Sequence, residues 1–280
     1  MADRSAIHKL LVSTVALAGL VPLAYFVSVE IQIAEASPED SASVMASMNP
    51  LDRTIDNVAF GVGEKLSFDI NYGFINAGTA TMEVLRLIEW EQRPCYQIVT
   101  RANSNSFFST FYKVDDRVES IVDAAGLFSW RFEKDLREGS YRSNRLCTFD
   151  QHKHLAFYND DTLEVAPFVQ DVLSVLYYVR TQDLEVGQSL LLENFTDGKD
   201  YPLEVRILKR ETVTVDAGTF DCIVVEPLLR SVGVFKHEGR LKVWLTDDYL
   251  KMPVIMKSKV LVGSISAELT AYRLGEIEAF

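Results

Sequence analysis

The chain is short of positive charge and of paired cysteines, and it lacks the common catalytic signatures. Against 40 Asp and Glu it carries only 28 Lys and Arg, a formal net charge of −12. That balance argues against nucleic acid or an anionic membrane bound through a basic surface. Its three cysteines, Cys95, Cys147 and Cys222, are too far apart to form a metal-binding motif. Each lies in a β-type run, where a buried free thiol is the common outcome; an oxidising compartment would permit one disulfide, with the pairing open. There is no Gly-x-Ser-x-Gly elbow, phosphate loop or dinucleotide fingerprint. No catalytic residue, metal ligand or cofactor is therefore assigned.

The N-terminus points to export. Arg4 and Lys9 precede an apolar stretch from Leu10 to Val29, interrupted by Pro22, and Ala34-Glu35-Ala36 supplies a small-x-small cleavage pattern. The expectation is a signal peptide over 1–36 and a periplasmic protein starting at Ser37, with no stable membrane span after cleavage. An uncleaved N-terminal anchor is the alternative, since about 20 apolar residues can cross a bilayer. Residues 37–60, mixed in composition and without periodicity, read as a flexible linker.

From Gly63 onward β-type alternation dominates. Leu66, Phe68, Ile70 and Tyr72 fall on one face of a strand. An [Asn/Asp]-Ala-Gly-Thr core occurs twice, at Asn76–Thr79 and Asp216–Thr219, and both copies read as hairpin turns. One segment breaks the alternation. Apolar residues at 168, 169, 172, 173, 175, 176 and 179 have helical spacing, with Asp171 suited to the positive end of a helix. A dozen or so strands around one helix near 170–181 predict a mainly β domain over 61–275, built as a strongly curved antiparallel sheet or incomplete β-barrel.

Several segments, in this order, resemble the DUF3108 family of exported bacterial proteins. They are Gly63–Phe68, Asn76–Ala80, Val114–Ser120, Arg131–Lys134, Glu138–Arg142, Asp171–Arg180, Ala217–Phe220 and Val243–Asp248. The resemblance spans about residues 60–273. It implies an exported, β-rich envelope protein and carries over no catalytic residues.

Candidate sites are few. Phe107, Phe108, Phe111 and Tyr112 sit in a polar, loop-like stretch that can rim an apolar cavity or make an interaction loop. Arg131, Lys134, Arg137, Arg142 and Arg145 crowd one hairpin, where they can receive an anionic headgroup, a glycan or an acidic partner, with Arg131 and Arg142 the expected contacts, or can simply pair with Glu133, Asp135 and Glu138. The Asp115-Asp116 pair should split across a strand, one carboxylate turning inward beside a cation. His152 and His154 read as an exposed turn, as does Asp247-Asp248, and His237-Glu238 is isolated. Asp216-Ala217-Gly218-Thr219 echoes an aspartic-protease motif, but its counterpart carries Asn76, which cannot share a proton.

Three functions are consistent with this pattern. The first is a non-enzymatic protein holding a lipid or other amphipathic envelope molecule in a cavity of the curved sheet. The second is an assembly module acting through contacts with an envelope protein. The third is a hydrolase of envelope polysaccharide or lipid, which requires Asp115, Asp116 and Glu133 to converge.

Overall fold

The computed structural model describes residues 51–229, 241–259, 263–278 and 280. Fourteen strands form one antiparallel sheet. In chain order they are β1 (Lys65–Tyr72), β2 (Ile75–Trp90), β3 (Arg93–Ser104), β4 (Asp115–Asp123), β5 (Ser129–Glu138), β6 (Tyr141–Asp150), β7 (Leu155–Tyr158) and β8 (Asp161–Glu164), followed by β9 (Ser189–Thr196), β10 (Lys199–Val215), β11 (Gly218–Leu229), β12 (Leu241–Thr246), β13 (Pro253–Lys259) and β14 (Ser264–Arg273). Among the described residues two helices interrupt them, α1 (Ser106–Ser109) and α2 (Val172–Arg180). The first eight strands and the last six each form a meander. Pairing of β1 with β14 joins the two, with Leu66 opposite Tyr272 and Ile70 opposite Ala267.

The sheet is not closed into a barrel: β8 and β9 are its two edges. It curls until side chains span the gap. The Phe195 ring on β9 lies 5.7 Å from Phe149 and 6.4 Å from Tyr158, and Lys134 on β5 pairs with Asp197 in the β9–β10 turn. The chain just before α2 straps the two sides together. Ser129 N–H donates to the Val169 carbonyl at 3.2 Å, while Gln170 N–H donates to Glu193 and its carbonyl accepts from Phe195, both at 2.9 Å. The strap satisfies backbone groups on β9 that an open edge would leave bare.

Helix α2 lies within the curl. Its spacing places Val172, Leu173, Val175, Tyr177 and Val179 in buried positions, so it is enclosed rather than surface-laid. The expected helix is present, but it starts at Val172. Phe168 adopts φ +58°, and Asp171 stays extended as the N-cap. Around it the core is dense. Leu66, Met82, Ile98, Tyr177, Leu203 and Leu269 have no solvent exposure at all, so no void wide enough for a water molecule adjoins them.

The folded unit begins earlier than Gly63. Leu51, Ala59 and Phe60 are buried, and Arg53 donates to the carbonyls of Gly126 at 2.7 Å and Leu127 at 3.1 Å. Residues 51–60 are therefore a packed segment and not linker; their burial is long-range and leaves no local periodicity. At the other end Glu276 pairs with Val62, and the Phe280 ring lies 5.8 Å from Tyr96. The signal segment, residues 37–50 and His237-Glu238 fall outside the described residues.

One of the two expected Ala-Gly-Thr turns is not a turn. Asp216-Ala217 does join β10 to β11, with Gly218 at φ +137°. Asn76–Thr79, however, lies within β2, and the chain reverses earlier, at Gly73 (φ +60°) and Phe74. Gly78 answers a different need. A Cβ there would sit 2.1 Å from the Asn103 carbonyl oxygen on β3. Gly78→Ala should accordingly cost about 1–3 kcal/mol through displaced backbone, read as a lowered thermal midpoint with unchanged secondary structure.

Candidate functional site

One end of the sheet gathers the β1–β2 turn, the β3–β4 connection carrying α1, and the β5–β6 turn. Asn105 organises it. Its Oδ1 caps α1 by accepting from Phe108 N–H at 2.9 Å, and its Nδ2 donates to the Asn76 carbonyl on β2 at 2.8 Å. The single helical turn then divides the aromatics found in the sequence. Phe107 and Phe111 stack edge-on at 5.5 Å and stand about two-thirds exposed. Phe108 packs toward the core and Tyr112 is buried. Beside them, Phe74 at the tip of the β1–β2 turn is fully exposed and Ile75 is more than half exposed. This rim contrasts with the close-packed interior. The signal that Phe74 belongs with it is its place in a Gly-Phe turn; the misplaced Asn-Ala-Gly-Thr turn concealed that.

The arginine-rich hairpin does not converge. Strand alternation scatters it, and most of its members have partners. Arg131 binds Glu119 at 2.7 Å and Glu133 at 2.6 Å. Lys134 turns inward to Asp197, Arg137 takes Asp135 at 2.8 Å, and Arg145 donates to the Tyr158 hydroxyl at 2.7 Å. Arg142 lies near the rim and donates to the carbonyls of Gly139 and Tyr141. Arg131 is seven residues down β5 from the rim, about 20 Å at strand rise. Of the two expected ligand contacts, only Arg142 is near the aromatics.

The acidic residues regroup. Asp115 is exposed and Asp116 is buried, as alternation requires. Glu133 faces Arg131 and Asn144 on the other side of the sheet, so the three carboxylates of the hydrolase reading do not meet. Asp116 instead shares a hydrogen bond with Glu138, which is almost completely buried at the end of β5. Among the described residues no cationic side chain pairs with Asp116; its Oδ1 accepts from the Arg137 backbone N–H at 2.7 Å. Burial first, and the neighbouring Asp116 charge second, push the Glu138 carboxyl up to about 8. Burial raises Asp116 as well. Glu138 is the site residue that the sequence reading passed over. Its signal is the inward run Phe132, Lys134, Leu136, Glu138.

Two other buried carboxylates are tied into the structure by cations. Glu64 and Arg180, both essentially without exposure, form a two-pronged ion pair with both contacts at 2.7 Å. Asp123 accepts from Trp130 Nε1 and pairs with Arg93. The cysteines are all free and buried, and burial pushes Cys95 and Cys222 up to about 12. They are inert thiols at neutral pH. Among the described residues no group of three His, Cys, Asp or Glu side chains is placed to hold a metal ion.

The family follows from the sequence match. Residues 67–270 match the family described as protein of unknown function, DUF3108. The chain belongs to that family. A comparison with curated proteins finds no match. Among solved structures, this DUF3108 chain is similar to a beta-barrel-like protein of the domain of unknown function DUF1849 from Brucella abortus. The TM-score is 0.53 at 12% identity, covering 78% of this chain and 100% of that one. That likeness shows the fold alone. A candidate lipoprotein from Parabacteroides distasonis (TM-score 0.35, 11% identity, 79% of this chain and 100% of that one) is more distant. So is a candidate exported protein with a YmcC-like fold from Bacteroides fragilis (TM-score 0.29, 13% identity, 79% and 99%). No helix among the described residues of this DUF3108 protein is long and apolar enough to cross a membrane.

Proposed function

We propose that the protein is an exported, periplasmic component of the cell envelope, without catalytic activity, that engages an apolar or amphipathic envelope molecule through its aromatic rim. One observation carries the reading: Phe74, Phe107 and Phe111 present exposed rings at one end of a molecule whose other large apolar residues form an extensive buried core. Export rests on the Arg4–Ala36 leader pattern. The rim is preferred to a cavity inside the curl because Leu66, Met82, Ile98, Tyr177, Leu203 and Leu269, in and around α2, are fully buried. Rings at hairpin tips protrude rather than line a groove, which suits insertion among lipid tails and headgroups.

Contacts with an envelope protein are the second reading, and the rim would serve them too. Strand addition is the weaker route to such contacts. Edge strand β8 is four residues long and carries Asp161 and Glu164, a short, charged edge that resists pairing.

The test is the triple variant Phe74→Ser, Phe107→Ser, Phe111→Ser. Exposed positions should leave the thermal midpoint within about 6 °C, since each such substitution changes stability by only about 0.5 kcal/mol. Co-flotation with phosphatidylethanolamine vesicles and the lipid recovered by extraction of the purified protein should both fall at least tenfold. Unchanged lipid recovery would overturn the rim reading. Absence of lipid from both proteins, with an envelope protein captured only by the wild type, would favour the second reading.

A further inference from the structure

The pair Asp116–Glu138 lies directly beneath the turn that carries the rim, and the two are joined by backbone. Glu138 bridges to Val114, and Gly139 N–H donates to the Lys113 carbonyl at 2.7 Å. The Tyr112 ring lies against Gly139 so closely that a Cβ there would come within 2.6 Å of it. Tyr112 N–H in turn donates to the Phe108 carbonyl at 2.8 Å, and Ser104 N–H to Val114 at 3.1 Å. Whatever moves Glu138 moves the Phe107–Tyr112 turn.

The surroundings supply no counter-charge. Lys134, two turns of the alternation away on the same face, is committed to Asp197. Arg137 is committed to Asp135 and approaches Asp115 at 4.0 Å; Arg142 serves the Gly139 and Tyr141 carbonyls. Lys113 is exposed. Among the described residues none of these cationic side chains hydrogen-bonds either carboxyl; Asp116 accepts from the neutral Arg137 backbone N–H, and the nearby acids Asp115 and Asp135 add only negative charge. Glu138 Oε1 is buried with no partner. Two buried carboxyls, one hydrogen bond between them and one bare oxygen are tolerable with a proton on the pair and strained without it.

We propose that Asp116 and Glu138 hold one proton between them and latch the aromatic turn, which is clamped while the pair is protonated and loosened when both carboxyls are charged. The sign follows from the raised Glu138 carboxyl. An opened turn exposes Glu138 to water, where it ionises near its ordinary value of 4.5, whereas the closed turn keeps its proton up to about 8. Opening therefore releases a proton between those limits and becomes easier as pH rises, by at most about tenfold per pH unit, then levels off. The latch holds the turn in place whether the rim meets lipid, protein or nothing, so it stands independently of the proposed binding.

Amide hydrogen exchange of the full chain, corrected for the intrinsic pH dependence of exchange, tests it. Protection of the 105–114 segment should fall at least tenfold between pH 5.5 and 7.5, while the β10–β11 amides keep theirs. In Glu138→Gln the fall should vanish. In Asp116→Asn, which removes the like charge and keeps the burial, the levelling-off should shift to lower pH. A segment with pH-independent protection in the wild type overturns the latch, as does the same fall in Glu138→Gln. Should Glu138→Gln fail to fold, an unshifted profile in Asp116→Asn overturns it equally.

Discussion

Arg180→Met is expected to destabilise the fold by about 3–5 kcal/mol, seen as a lower urea midpoint at unchanged slope. The guanidinium is wholly buried at the C-terminal end of α2 and spends its donors on Glu64 Oε1 and Oε2, the Ala59 carbonyl and the Leu250 carbonyl. It also lies 5.3 Å from the centre of the Phe60 ring and 5.2 Å from that of Tyr177. One side chain thus ties the helix to the N-terminal segment, to the start of β1 and to the β12–β13 turn. Removing it strands the Glu64 carboxylate and two carbonyls in a place water does not reach. The informative control is the double variant Glu64→Leu, Arg180→Met. Replacing both partners with apolar groups removes the uncompensated charge, so much of the loss should return. If the double variant were worse than Arg180→Met by the full cost of Glu64→Leu alone, the two would be energetically independent and the ion pair would not be the cause.

The sequence exposes the elements of this molecule better than their meetings. Alternation at Leu66–Ile70 and the helical spacing from Val172 are local signals, and both elements form where they stand. The curl was foreseeable from strand number alone. What locks it is not local. Glu64 and Arg180 are 116 positions apart, and Glu64 reads simply as one of 40 acidic residues. Residues 51–60 look like linker because Leu51 and Phe60 are buried against distant strands, with no period of their own. The Asn-Ala-Gly-Thr core shows the converse: the same four-residue chemistry makes a turn at Asp216 and runs inside a strand at Asn76. There the glycine serves the close approach of β3, a cause invisible without the neighbouring strand.

The candidate site was legible in its exposed half. Phe107 and Phe111 were recognisable as apolar residues in polar company. Their division from Phe108 and Tyr112 needed the geometry of α1, and the cluster of arginines dissolved once alternate residues of β5 took opposite faces. The Asp116–Glu138 pair illustrates the same limit. Each residue lies on an inward run of its own strand, but their register, Val114 against Glu138, is set by pairing and not by composition.

Asp171→Ala should be the second most damaging single change, at about 3 kcal/mol, combining a lost N-cap of about 1–2 with buried hydroxyls left unpaired. Its Oδ1 accepts from Leu173 N–H at 2.7 Å and Ser174 N–H at 2.9 Å, and Asp171 N–H donates to the Ser174 hydroxyl oxygen at 2.9 Å, completing a capping box. Its Oδ2 accepts from Ser120 on β4 and Ser129 on β5. The carboxylate therefore starts the helix and also fastens it to two strands, beside the Val169–Gln170 strap that spans the sheet edges. Asp171→Asn separates the two duties. Its carbonyl oxygen can keep the cap, while its amide meets the serine hydroxyls as a donor, and each hydroxyl can rotate to accept. The expected loss is about half that of alanine, measured by urea unfolding, with exchange protection falling first in α2. If asparagine costs as much as alanine, the charge on Asp171 and not its hydrogen-bonding pattern holds the helix in the curl.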